Sequence, residues 1–217
     1  MIVETLVAGP LQANCYIVGC EQTGAAVVID PGDEAERIEA KVGQLNLRLE
    51  QIIGTHAHLD HILGVQGLHE ATGAPFLLHR LEEPVLAGLQ EWTRLWLGYD
   101  PGPPPTVDGY LSEDEMVTFG ECELEVRLTP GHSPGSVSLV DHEGRMVFVG
   151  DLLFHGSIGR SDLPGGDHAT LIRSVETQIF TLADDYAVLT GHGPATTVGR
   201  ERRTNPFFRR GSGLWRP

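Results

Sequence analysis

The stretch GTHAHLDHILG, residues 54 to 64, sets His56, His58, Asp60 and His61 within six positions, directly after the apolar pair Ile52 and Ile53. Imidazole and carboxylate groups at that density suit a metal ion. In an extended loop, side chains at i and i+2 point the same way, so His56 and His58 can grip one ion together. Asp60 and His61 enter the next helix and point toward a neighbouring position, although Asp60 could instead serve that helix as its N-cap. Farther along, His132 follows EVRLTPG, Asp151 follows RMVFVG and His192 follows YAVLTG. Five of the ten histidines therefore stand just beyond an apolar, strand-like run. Strand ends in layered α/β folds project onto a common edge, where loops build sites. Seven such groups without a thiolate suit zinc, iron or manganese, and they exceed the three or four that one tetrahedral ion needs. Two divalent ions are expected, zinc first. His69, His79 and His142 are expected to have no ligand role.

The elements that must position these groups can be read from period and punctuation. IVETLV, CYIVG and AAVVID are short β-branched runs closed by Gly, Pro or Asn, which predicts consecutive strands. DEAERIEAKVGQLN predicts a helix capped by Asp33, with Ala35, Ile38, Val42 and Leu45 on its buried face. EQIIGT predicts a strand, HILGVQGLHEATG one helix ending at Gly73, and PFLLH another strand. Helical stretches follow through Tyr99, in which Trp92 and Trp96 share a face, for core packing or as a pocket wall or lid. DPGPPPTVDG can only be an exposed loop. ELEVRLTPGHSPGSVSLVDHEGRMVFVGD predicts three strands, then come a mostly polar loop from Leu152 to Gly166, a helix from about His168 to Phe180, and YAVLTGHGP as a last strand and loop. Strands and helices mixed in two halves, with no repeat or linker, predict one α/β sandwich domain over residues 1–217 with sheets inside.

Composition narrows the partners. The net charge of −15 argues against nucleic acid, because phosphate contacts need a basic footprint. The charge is uneven: residues 200–217 hold six arginines against Glu201, a net of +5, which with −15 overall leaves −20 for residues 1–199. This basic tail is expected to lie against the acidic body, with an anionic ligand or subunit contact as the other use. No apolar stretch reaches the roughly 20 residues that span a bilayer, and the first ten residues lack the basic start of a signal peptide, so a cytoplasmic protein without a membrane partner is expected. Cys15, Cys20 and Cys122 form no CxxC and are expected to be buried reduced thiols. The oligomeric state is left open.

THAHLDH, TPGHSPGS, FVGD and TGHGP resemble, in order and over nearly the whole chain, the metal-binding motifs of the metallo-β-lactamase superfamily. Within it, GSIGRSDLPGGD and GHGPATTVGRERRTNP resemble the short bacterial glyoxalase II-like hydrolases. The resemblance implies a four-layer αββα sandwich. It also implies His56, His58 and His132 on a first metal, Asp60, His61 and His192 on a second, and Asp151 bridging both. Two features differ from full-length glyoxalase II. Only 25 residues follow His192 where that enzyme has a helical glutathione-binding domain, and GRSD replaces its lysine-plus-aromatic stretch, leaving Arg160 as the nearest cation. These differences bear on glutathione recognition and leave the metal ligands untouched.

The chemistry expected is hydrolysis by a metal-bridging hydroxide, with Asp60 orienting it and no serine or cysteine nucleophile needed. A thiolate of pKa about 8.5 leaves without a general acid, so a small-molecule thioester of the S-lactoylglutathione kind, or an ester, comes before an amide. Arg160 is the candidate for the substrate's anionic end, against a plain ion pair with Asp162. The nearest rival is a persulfide dioxygenase with one iron on His56, His132 and Asp151; a lactone or other ester hydrolase is a further alternative. The acidic body speaks against a nuclease, His61 after Asp60 against a β-lactamase, and the full set of seven against a scaffold without turnover.

Overall fold

The computed structural model describes residues 1–209, so Arg210 and Arg216 of the basic tail lie outside the described residues. Strands β1 (Ile2–Ala8), β2 (Ala13–Gly19) and β3 (Ala25–Ile29) form an antiparallel meander. Parallel pairing then adds β4 (Arg48–Ile53), β5 (Phe76–His79) and the short β6 (Gly109–Leu111) in order. The second sheet begins as the antiparallel run β7 (Met116–Phe119), β8 (Cys122–Leu128), β9 (Val137–Asp141) and β10 (Met146–Gly150). A hairpin of β11 (Leu153–Phe154) and β12 (Ser157–Ile158) stands apart, while β13 (Ala187–Thr190) joins β10 in parallel and β14 (Thr196–Thr197) closes that edge.

Alternation along the strands sorts side chains into layers. On β2, Cys15 and Ile17 pack with Ile38 of helix α1 (Ala35–Gln44) and Leu68 of α3 (Val65–Thr72). Their neighbours Tyr16 and Val18 pack in the other direction, with Phe148 and Leu139 of the second sheet. On β10 the same alternation turns Phe148 inward and lays Val147 and Val149 against Leu171 of α6 (His168–Ser174) and Val175 of the π-type turn that continues it. Strands covered on both faces read as continuous apolar runs. The result is the αββα sandwich. No helix among the described residues is long and apolar enough to cross a membrane.

Several local expectations are corrected. Helix α1 starts at Ala35 and not at Asp33, whose carboxylate accepts from the adjacent Glu34 N–H at 2.7 Å and caps nothing farther in. The single helix expected to end at Gly73 is two, α2 (Leu59–Ile62) and α3, although Gly73 does end the second with φ of 70°. The break is at Gly64, whose N–H donates to Pro31 O at 2.8 Å, and a Cβ there would meet that oxygen at 2.8 Å. The loop from Leu152 holds the β11–β12 hairpin and buries Leu152, Leu153 and Ile158. Beyond β13 the chain continues into β14 and α7 (Val198–Thr204), so the start of the basic tail is helical. Arg202 and Arg203 pair there with Asp184, while Val198 packs in the outer core.

Candidate metal centre

Because β8 and β10 each run antiparallel to β9, their C-terminal ends lie on one edge of the sheet, and β13, parallel to β10, ends there too. His132, Asp151 and His192 follow those ends, and His56 and His58 follow β4 in the facing sheet. The short α2 adds Asp60 and His61. The fold thus brings all seven predicted residues to one place, in two groups.

In the first group His58 Nδ1 lies 2.8 Å and His56 Nε2 3.2 Å from His132 Nε2. In the second, Asp60 Oδ2 lies 3.1 Å from His192 Nε2 and 3.8 Å from His61 Nε2. Asp151 stands between them, with Oδ1 3.4 Å from His61 Nε2 and Oδ2 3.7 Å from both His132 Nε2 and His192 Nε2. Asp60 is not a cap: the N-cap of α2 is His58, without a side-chain cap bond.

These distances fit shared cations. Two nitrogens bound about 2.0–2.1 Å from a tetrahedral zinc lie about 3.3 Å apart. Within the described residues, His61 Nε2 and Asp151 Oδ1 are buried without a hydrogen bond, a costly arrangement for two polar atoms unless a ligand serves them.

Residues that composition and spacing did not reveal hold the donors in aim. Asp30, at the end of β3, accepts from Thr55 N at 2.6 Å, from Thr55 Oγ1 at 2.7 Å and from His61 Nδ1 at 3.0 Å. Thr55 Oγ1, 3.0 Å from His56 Nδ1, accepts from that ring in turn, so Asp30 orients both imidazoles with Nε2 toward the centre. Backbone carbonyls do the same elsewhere: Arg160 O accepts from His132 Nδ1 at 2.7 Å and Gln12 O from His192 Nδ1 at 3.2 Å. Asp30 shared one sign with Asp151, an acid closing an apolar strand. Glu82 carried no such sign. Fully buried, it accepts from Ala57 N, Ser133 Oγ and Gly135 N at 2.6 to 2.8 Å and so ties the His56–His58 loop to the His132 loop. Glu82→Gln should turn an amide N–H toward one of these three donors and cost about 2 kcal/mol, read as a fall in Tm of about 4–8 °C. An unchanged Tm would remove Glu82 from this role.

A model of the family described as the metallo-beta-lactamase superfamily matches residues 8–192. The chain belongs to that superfamily. It is 34% identical to the hydroxyacylglutathione hydrolase GloC of Haemophilus influenzae, over 96% of this chain and 98% of that one. Among solved structures, TTHA1623 in a di-iron-bound form is 43% identical, with a TM-score of 0.86 over 94% of this chain and 100% of its own. The BLEG-1 B3 metallo-beta-lactamase is 36% identical, with a TM-score of 0.89 over 95% and 99%.

Charge divides the two groups of this superfamily site. Burial, and then the neighbouring imidazoles, push the His56 pKa well below the ordinary histidine value and bring His58 down to about 3. Burial also opposes charge on His61, but the carboxylates of Asp151, Asp60 and Asp30 outweigh it and hold that pKa well above the ordinary value. For Asp151 burial is likewise overcome, and the charges of His61, His132 and His192 keep its carboxyl below the usual range. His56 and His58 present neutral nitrogens; the second group balances acids against imidazolium and must release protons to admit a cation.

A cavity of about 470 Å³ opens over the cluster. Trp92 and Trp96 of α5 (Leu89–Leu97) line it, and Trp96 is 50% exposed, so the pair is a pocket wall and not core. Arg160 also lines it, at the rim, with its guanidinium on Asp162 at 2.8 and 2.9 Å.

Proposed function

We propose that this superfamily member is a metal-dependent hydrolase of small thioesters. In this reading His56, His58 and His132 hold one divalent ion, Asp60, His61 and His192 a second, and Asp151 touches both, with zinc as the first choice and iron or manganese as the others. The observation that carries it is the placement of Asp151 between the two groups, with Oδ2 3.7 Å from both His132 Nε2 of the first and His192 Nε2 of the second, and Oδ1 3.4 Å from His61 Nε2. When bound, two such ions supply an acidified water as nucleophile and polarise the carbonyl it attacks.

This chain's own residues do the rest. Asp30, through Thr55 and His61, keeps two imidazoles in one tautomer and one orientation. The cavity wall excludes water from one side of the reacting bond. No cysteine lines the cavity and no general acid is needed for a thiolate to leave, so a thioester is favoured over an amide. Arg160 lines the cavity with Asp162 already on its guanidinium, so an anionic end of the substrate would have to compete with that carboxylate. The name of the Haemophilus influenzae relative supports attack on an S-acyl bond, and the di-iron form of TTHA1623 supports two ions and keeps iron open. Three free thiols fit a reducing, cytoplasmic setting.

A persulfide dioxygenase would use only His56, His132 and Asp151 and leave His58, Asp60, His61 and His192 with nothing to hold. Metal-replete protein should contain about two ions per chain, hydrolyse simple thioesters and take up no oxygen with a persulfide. A β-lactam belongs in the same assay because of the BLEG-1 likeness. Asp60→Asn should lose one ion and lower thioester turnover about 10–100-fold with α2 intact. One ion in the parent protein together with oxygen uptake would overturn the hydrolase.

A further inference from the structure

The cavity has two unlike sides. Residues of the metal cluster line one part of it, and apolar side chains line another: Val85 of α4 (Glu83–Ala87), Leu89, Trp92 and Trp96 of α5, and Leu163 and Pro164 of the loop after β12. Positions 89, 92 and 96 recur at helical spacing, so one face of α5 lies along the cavity. Leu89 is buried, whereas Trp96, at the same face's outer end, leaves half its surface open. A large aromatic surface left uncovered beside a reacting centre is unusual enough to need a use.

Charge on this side is scarce. Outside the metal cluster Arg160 is the one charged side chain lining the cavity among the described residues. It is already matched by Asp162, and its guanidinium lies 5.8 Å from the Trp96 ring centroid. The two carboxylates, ammonium and peptide groups of a glutathione conjugate would lose water here with little to pair them. An aromatic or branched apolar group would lose nothing and would stack on tryptophan.

We propose, on the basis of the hydrolase reading above, that this wall selects thioesters and esters bearing an apolar, ring-sized group beside the scissile carbonyl, and that Trp96 with Trp92 determines the selection. A substrate of that kind places its ring on α5 while its carbonyl lies over His58, Asp60 and Asp151. Glutathione thioesters are the poorer class.

The test uses the metal-loaded protein and three uncharged thioesters: methyl thioacetate, benzyl thioacetate and the methyl thioester of phenylacetic acid, with rates corrected for reactivity toward hydroxide. One of the two ring-bearing compounds should exceed methyl thioacetate about tenfold or more in kcat/KM, and should exceed S-lactoylglutathione. Trp96→Ala should remove most of that advantage, with less than about a threefold loss on methyl thioacetate, and Trp96→Phe should restore much of it. Trp96 is half exposed, so its replacement leaves the core in place. Equal rates on all three, or preference for the glutathione thioester, would overturn the proposal. If no thioester or ester is hydrolysed, the hydrolase reading fails and the wall is judged by binding. Phenylacetate titrated calorimetrically should bind at least about tenfold tighter than acetate and lose that margin in Trp96→Ala; binding no tighter than acetate would overturn the wall's role by itself.

Discussion

Asp151→Asn should lower bound metal from about two ions per chain to one or fewer and cut turnover about 10²–10³-fold. Asp151 is the residue whose oxygens face both groups, at 3.4 Å from His61 Nε2 and 3.7 Å from His132 and His192 Nε2. An asparagine keeps the size and one acceptor but loses the charge that balances His61 and His192, and it offers one oxygen where two are used. Elemental analysis beside thermal unfolding separates this from misfolding: the variant should unfold cooperatively while holding less metal. Two ions and parental turnover in Asp151→Asn would sink the shared role.

A comparable loss is expected from a residue with no ligand atom. Gly191 precedes His192, and a Cβ there would lie 2.1 Å from Asp151 Oδ1 and 2.9 Å from His61 Cε1. The peptide cannot easily withdraw, because Gly191 N–H donates to Gly150 O at 2.8 Å and Gly191 O accepts from Asn14 N–H at 2.7 Å. Gly191→Ala must therefore displace the carboxylate or the imidazole, and overpacking adds about 1–3 kcal/mol of destabilisation. Turnover should fall about a hundredfold, since a displacement of about 1 Å costs that much in a preorganised site. Gly43→Ala in α1, where an added Cβ meets nothing within 4 Å, is the control and should stabilise by about 0.5–1 kcal/mol. Normal metal content and rate in Gly191→Ala would show that this edge of the sheet yields to an added methyl group.

Much of the frame was legible because it is written in local period. Strands β2, β3, β9 and β10 are buried almost throughout and read as short apolar runs, whereas β8 alternates apolar with charged residues and shows itself by that period. Short elements were not legible: β6 has three residues, β14 two, and α7 only seven, too few for a period to show. The β11–β12 hairpin was hidden for the same reason inside a stretch whose glycines and acids read as loop. The break at Gly64 depends on Pro31, a contact between segments that no window along the chain contains.

The seven candidate donors were legible by residue type and by their position beyond strand ends. Asp30 and Glu82 were not, because their hydrogen bonds reach 25 to 53 residues along the chain, and an acid in a short helical turn reads as solvated surface. Trp92 and Trp96 could be put on one helix face, but whether that face met core or cavity depended on where α5 docks.

By itself the sequence determined the donor types, their order and the apolar runs that precede them, since side-chain chemistry and strand period are properties of neighbours along the chain. Only the tertiary structure decided that Asp151 stands between the two groups, which buried acids aim the histidines and how apolar the cavity lining is. Those are distances between residues far apart in sequence, and they are set by how two sheets and their helices pack.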